Sequence, residues 1–92
     1  MTETQLEVLV KAIDTFGIDH QSDIAIEEMS ELIKAIIKHR RYRTAETLDN
    51  LKEEIADVQI MAWQLQLMYG NVDDIIQSKI ERLDKRIKEF LK

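Results

Sequence analysis

Two short acidic steps carry the densest chemistry in this chain: Glu27, Glu28 and Glu31 within AIEEMSEL, and Glu53, Glu54 and Asp57 within LKEEIADV. The second step opens directly onto residues 55–68, IADVQIMAWQLQLM, where one Asp and three Gln stand among apolar neighbours. An unpaired carboxylate in such a setting is costly to desolvate, so Glu54 and Asp57 are expected to be buried beside something that neutralises them. Acids that converge without a matching set of cations suit a divalent cation. Hard ions such as Mg²⁺ take oxygen ligands and are held by a few carboxylates plus substrate phosphate.

Helical geometry narrows the six acids to four. At about 100° per residue, the apolar stripe of the helix bearing the first step is Ala25, Met29, Leu32, Ile33 and Ile36. Glu28 borders that stripe, Glu31 lies further round, and Glu27 points away. On the helix bearing the second step, Glu54 and Asp57 lie about 60° apart and share an arc with Met61, Gln64, Leu65 and Met68, while Glu53 falls on the far side of Asp57. One acidic step alone would read as a solvated helix face. Two steps, each with a like-charge pair at four-residue spacing (Glu27 with Glu31, Glu53 with Asp57), are mildly destabilising unless a cation binds. A di-iron carboxylate bundle needs Glu-x-x-His steps, and neither His20 nor His39 follows a Glu at that spacing. Zinc is disfavoured because Cys is absent and no His is well placed.

The elements that must position these residues read as all-α. Pro is absent, and the two glycines, Gly17 and Gly70, interrupt a sequence rich in strong helix formers. A first helix is expected from about Glu3 to Phe16, with Thr2 and Gln5 spaced as a capping box and Gly17 as the left-handed residue after its end. GIDHQ is then a turn, and Ser22 or Asp23 caps a second helix running to Tyr42 or Arg43. Its basic end, Lys38 to Arg43, complements the helix dipole. After a short link at TAET, a third helix starts at Thr44 or Thr47 and stops before Gly70. Asn71 with Asp74 caps a fourth that runs almost to the C-terminus.

At 92 residues the chain is one domain, residues 1–92. Its 18 acidic and 13 basic residues leave a net charge of -5, which opposes general attraction to nucleic acid or to an anionic membrane. With 45% apolar residues and a third helix apolar round most of its circumference, the expectation is a homo-oligomer. MTETQLEVLV lacks a basic region followed by a long apolar run, and no apolar stretch is long enough to span a bilayer, so a cytoplasmic protein is expected.

The fourth helix adds a basic row. Beside its apolar stripe of Ile76, Ile80, Leu83, Ile87 and Phe90, Lys79, Arg82 and Arg86 fall within about 60° of one another. On a helix that must pack against the acidic ones they would contact phosphate oxygens. The same row is equally what a snorkelling flank balanced by Glu81, Asp84 and Glu89 would look like. Trp63, Met61 and Met68 read as core or interface. Asn50, one turn before Glu54 on the same side, either orients a ligating carboxylate or serves the start of its helix.

In these residues the chain resembles the MazG-like, all-α nucleoside triphosphate pyrophosphohydrolases. Their Glu-Glu-x-x-Glu followed by Glu-x-x-Asp is met by Glu27, Glu28, Glu31, Glu54 and Asp57, and their later Lys-x-x-Arg by Lys79 and Arg82, over residues 22 to 87. The resemblance implies a four-helix MazG-like bundle completed by homo-oligomerisation as a dimer or tetramer. It implies Mg²⁺, with Mn²⁺ as the substitute ion, held by Glu28, Glu31, Glu54 and Asp57. It further implies cleavage of a nucleoside triphosphate between its α and β phosphates, with Lys79 and Arg82 holding the phosphate tail; Arg86 and Asn50 are counted with them as substrate contacts. Some members carry Lys one turn before the Glu-x-x-Asp step, where this chain has Asn50. Phosphoribosyl-ATP pyrophosphohydrolase has a similar acidic layout and is the enzyme alternative. A non-catalytic helical oligomer or nucleotide-binding module is the alternative of another class.

Overall fold

Thr2 and Thr44 each start a helix by capping. Thr2 Oγ1 accepts from the Gln5 amide at 3.1 Å while Gln5 Oε1 accepts from the Thr2 amide at 2.8 Å. Thr44 and Thr47 repeat the box at 3.1 Å in both directions. The computed structural model describes residues 1–92 as four helices and no strand: α1 (Glu3–Phe16), α2 (Ile18–Tyr42), α3 (Ala45–Tyr69) and α4 (Asp73–Phe90).

Three boundaries differ from the sequence expectation. Residues 18–22 are helix rather than turn: Gly17, at φ +92° and ψ 159°, ends α1 and begins α2 by itself, in a positive-φ extended conformation rather than the left-handed helical one. No second breaker follows it, so Ile18 to Gln21 continue as the first turn of α2. Ser22 therefore caps nothing and its hydroxyl instead meets Tyr69 Oη at 2.7 Å. The link between α2 and α3 shrinks to Arg43, in the left-handed region, and Thr44. Asn71 Oδ1 accepts from the Asp73 amide at 2.9 Å, an Asx turn into α4 rather than a cap paired with Asp74.

The antiparallel pair α2 and α3 forms the main contact of the fold. Its seam alternates steps of four and three: Gln21, Ala25, Glu28, Leu32, Ala35 and His39 on α2, facing Thr47, Leu51, Glu54, Val58, Met61 and Leu65 on α3. Every one of these residues is buried or half-buried. That is the spacing of two helices packed side by side over several turns. Two polar contacts lock the register, Gln21 Nε2 donating to Gln64 Oε1 at 2.8 Å near one end and His39 Nδ1 meeting Thr47 Oγ1 at 2.9 Å at the other. The expected stripe on α2 is displaced accordingly. Ala25 and Leu32 belong to the seam, but Met29, Ile33 and Ile36 are 40, 60 and 41% exposed.

α1 lies across both seam helices and contributes Leu9 to a core otherwise made of Ala25, Ala35 and Met61. α4 packs against none of the other three and buries no residue. Four helices are present, but within one chain only three pack together. The radius of gyration is 16.4 Å, against roughly 12 Å for a close-packed chain of this length. The accessible surface is 7499 Å², against roughly 5,500 Å² for an ordinary folded monomer of this mass.

The Gln21–Gln64 lock yields a prediction. Gln64→Leu strands the buried Gln21 amide and should cost about 1–3 kcal/mol in urea unfolding, whereas Gln21→Leu combined with Gln64→Leu should recover most of that loss. A double variant no more stable than the single one would show that the two amides do not act as a pair.

Candidate metal centre

The seam register determines which acids meet. Glu28 stands two turns after Gln21, and Asp57 two turns before Gln64, so the Gln lock brings Glu28 and Asp57 level across the helix pair. Glu54 stands two turns after Thr47 and enters the seam from the other lock. One carboxylate oxygen from each of Glu28, Glu54 and Asp57 lies within 4.8 Å of the other two. Glu28 and Glu54 are half-buried and Asp57 is exposed. Asp57 thus departs from the burial expected of it, because the seam takes Glu54 and Val58 inward and leaves Asp57 at its edge.

Burial raises the pKa of Glu28 above its ordinary 4.5, and the Asp57 charge, a hydrogen bond to the Asp57 carboxyl, and the charges of Glu54 and Glu27 raise it further. Glu54 is raised by desolvation and then by Asp57, Glu31 and Glu53. The fold therefore holds three carboxylates closer together than their charges favour. Such a donor set fits a hard divalent cation: two oxygens on one Mg²⁺ at about 2.1 Å lie about 3 to 4 Å apart, so small side-chain rotations close the difference.

The fourth expected ligand, Glu31, sits just outside this triad. It is half-buried, near enough to raise Glu54, and its Oε1 is 3.3 Å from Lys34 Nζ. Glu27 and Glu53 are exposed, as helical geometry predicts.

The basic row is present but remote. Lys79 and Arg82 border an open depression whose other lining residues, Asp74, Ile75 and Ser78, are all on α4. Arg86 borders another formed by α4 and Leu91. Contrary to the sequence expectation, the fourth helix does not pack against the helices that bear the acids. α4 leaves α3 at Gly70, φ +126°, and carries its apolar stripe into solvent, so no cation of that row reaches Glu28, Glu54 or Asp57 within one chain. Asn50 instead shares a depression of about 410 Å³ with Lys38, Tyr42, Thr44, Glu46 and Thr47.

Pattern reading gave no cross-helix role to the polar residues Gln21, His39, Thr47 and Gln64, and no place at the site to Lys34 or Lys38. The signal for Gln21, His39 and Thr47 is the strict four-and-three spacing, which an apolar-only count hides because it mixes Gln, Glu, His and Thr with Ala, Leu and Met; Gln64 stands one residue before Leu65 of that series.

The raised carboxylates predict a pH dependence without divalent cations. A carboxylate with a raised folded-state pKa favours folding while protonated. Its contribution is full below 4.5 and is lost as pH rises through the raised value. Thermal unfolding should therefore show wild type losing stability relative to Glu28→Gln across that window, and millimolar Mg²⁺ at neutral pH should reverse the loss where K⁺ at equal ionic strength does not. Parallel curves for the two proteins would contradict the arrangement. No family model, curated protein or solved structure matches this chain.

Proposed function

We propose that this chain is a Mg²⁺-dependent nucleotide pyrophosphohydrolase of the MazG-like kind, a cytoplasmic enzyme that cleaves nucleoside triphosphates to monophosphate and pyrophosphate. The observation carrying this reading is the convergence of Glu28, Glu54 and Asp57 on the α2·α3 seam. Three carboxylates from two helices, two of them with raised pKa, form a site that gains from a cation and, through it, from a phosphate chain. Glu28, Glu54 and Asp57 would hold the cation, with Mn²⁺ as the substitute ion. Bound there, it supplies neutralisation of charge developing on the phosphates and lowers the pKa of water.

The chain's own residues do the rest. Glu31, outside the triad and placed by Lys34, is the carboxylate left to accept the proton that water loses as its oxygen joins the α phosphorus. The bond from that phosphorus to the α–β bridging oxygen breaks, and pyrophosphate leaves. Lys79, Arg82 and Arg86 act on the phosphate tail from α4 of a second copy, since α4 packs against neither helix that bears Glu28, Glu54 and Asp57 in its own chain. Homo-oligomerisation also covers Ile76, Ile80, Leu83 and Ile87, each 44 to 56% exposed in the single chain. The surplus surface, about 2,000 Å², is of the size that obligate homodimers bury.

The decisive assay is pyrophosphate release from ribo- and deoxynucleoside triphosphates, with phosphoribosyl-ATP included, in the presence of Mg²⁺. Glu54→Gln and Asp57→Asn should each lower turnover by about a hundredfold or more, and Glu53→Gln by less than about threefold. No release from any substrate by the wild type would defeat the enzyme reading. Equal losses for Glu53→Gln and Glu54→Gln would show that the inward face is misassigned.

Leu83→Glu, on the exposed face of α4, tests the second-copy contribution. It should convert the oligomer to monomer by light scattering, leave helicity intact, and reduce turnover with it. An active monomer would remove α4 from the site.

A further inference from the structure

The polar rows of the α2 and α3 pair do not end at the acids. Toward the C-terminus of α2, successive turns on the side of Glu31 present Lys34, Lys38 and Tyr42; toward the N-terminus of α3, successive turns on the side of Asp57 and Glu54 present Asn50 and Glu46. Because the helices are antiparallel, both rows run the same way, from a carboxylate cluster through two lysines to the depression of about 410 Å³ that Lys38, Tyr42, Glu46 and Asn50 border. From Asp57 to Glu46 the helix rises about 16 Å. That length exceeds what a metal ion with phosphates alone would need.

We infer that this depression is a nucleoside subsite, which holds the base and ribose of the nucleotide whose phosphates lie toward Glu28, Glu54 and Asp57; the inference rests on the function proposed above. Its composition is wrong for a bare anion, because Glu46 repels phosphate. A neutral group with hydrogen-bond donors suits it, such as ribose hydroxyls or an exocyclic base amine. Tyr42, 58% exposed, offers a flat ring for a base, and the Arg41 guanidinium 6.0 Å from that ring's centroid extends the platform. The Asn50 amide supplies one acceptor and two donors, the kind of group that separates one base edge from another.

Neither Lys38, Glu46 nor Asn50 takes part in any of the chain's side-chain hydrogen bonds or ion pairs, so binding displaces no internal contact. The floor beneath them is rigid for a separate reason: Thr47 is bonded to His39, and Thr44 to Thr47, at the start of α3. Lys38, between depression and acids, is placed for a phosphate oxygen. Along the two rows the order is therefore carboxylates, lysines, then the depression with its aromatic ring and amide.

The test uses the full chain in two arms. In the first, adenosine, guanosine, cytidine and uridine 5′-monophosphates are titrated to millimolar concentration without divalent cation and followed by amide chemical shifts. Saturable shifts are expected at Lys38, Tyr42, Glu46, Thr47 and Asn50, weakened about tenfold or more by Tyr42→Leu and by Asn50→Ala, and not reproduced by inorganic pyrophosphate. In the second, the same variants are assayed with triphosphates. KM should rise about tenfold with kcat changed less than about twofold, and Asn50→Ala should alter the ranking of bases. Monophosphates that leave these amides unmoved, or variants with unchanged KM for every base, overturn the subsite even where hydrolysis is robust. Shifts at these amides in a protein that releases no pyrophosphate uphold the subsite and defeat the hydrolytic reading alone.

Discussion

The register of α2 against α3 is the constraint on which everything else in this molecule rests. A four-and-three alternation lets two 25-residue helices run side by side through small residues, Ala25 and Ala35, at close approach. An apolar seam alone would tolerate sliding by a turn, because Leu, Val and Met fill one another's places at modest cost. Gln21 with Gln64 and His39 with Thr47 remove that freedom, since a slipped register would leave amide or hydroxyl groups buried without partners. Glu28 and Asp57 face each other as a consequence.

The acids and the locks are thus parts of one device. Carboxylates within 4.8 Å oppose the helix pairing that brings them together, and the burial of Met61, Ala25 and Leu9 with the capped start of α3 holds it in place. A carboxylate cluster of this kind costs stability for as long as no positive charge stands beside it. Beyond the acids, Lys34, Lys38, Tyr42, Asn50 and Glu46 likewise inherit their relative positions from the seam.

α4 stands apart from this logic. Its amphipathic face is as regular as any in the chain, yet a lone helix gains nothing from that regularity without a surface to meet. The turn at Gly70 to Val72 directs it away from α1, α2 and α3, leaving Phe90 at 86% exposure and the stripe from Ile76 to Ile87 in water. Exposed apolar area on this scale in so small a chain is the surface that the proposed assembly would cover.

Local chemistry was readable along the sequence wherever it acts within a few residues. The absence of Pro, the capping pair at Thr2, a threonine start at 44 or 47, and the glycines at 17 and 70 were enough for four helices and for most of their ends. Helical angles alone separated Glu28 and Glu54 from Glu27 and Glu53. The extension of α2 back to Ile18 was not legible, because IDHQ resembles a turn in composition and only the packing of Gln21 on Gln64 reveals it as helix. The exposure of Met29 and Ile33, the outward place of Asp57, the company Asn50 keeps with Lys38 and Tyr42, and the separation of Lys79, Arg82 and Arg86 from the acids were decided only when helices met. Those are questions of pairing between segments far apart in the chain, and periodicity along one helix carries no information about which neighbour its face will find.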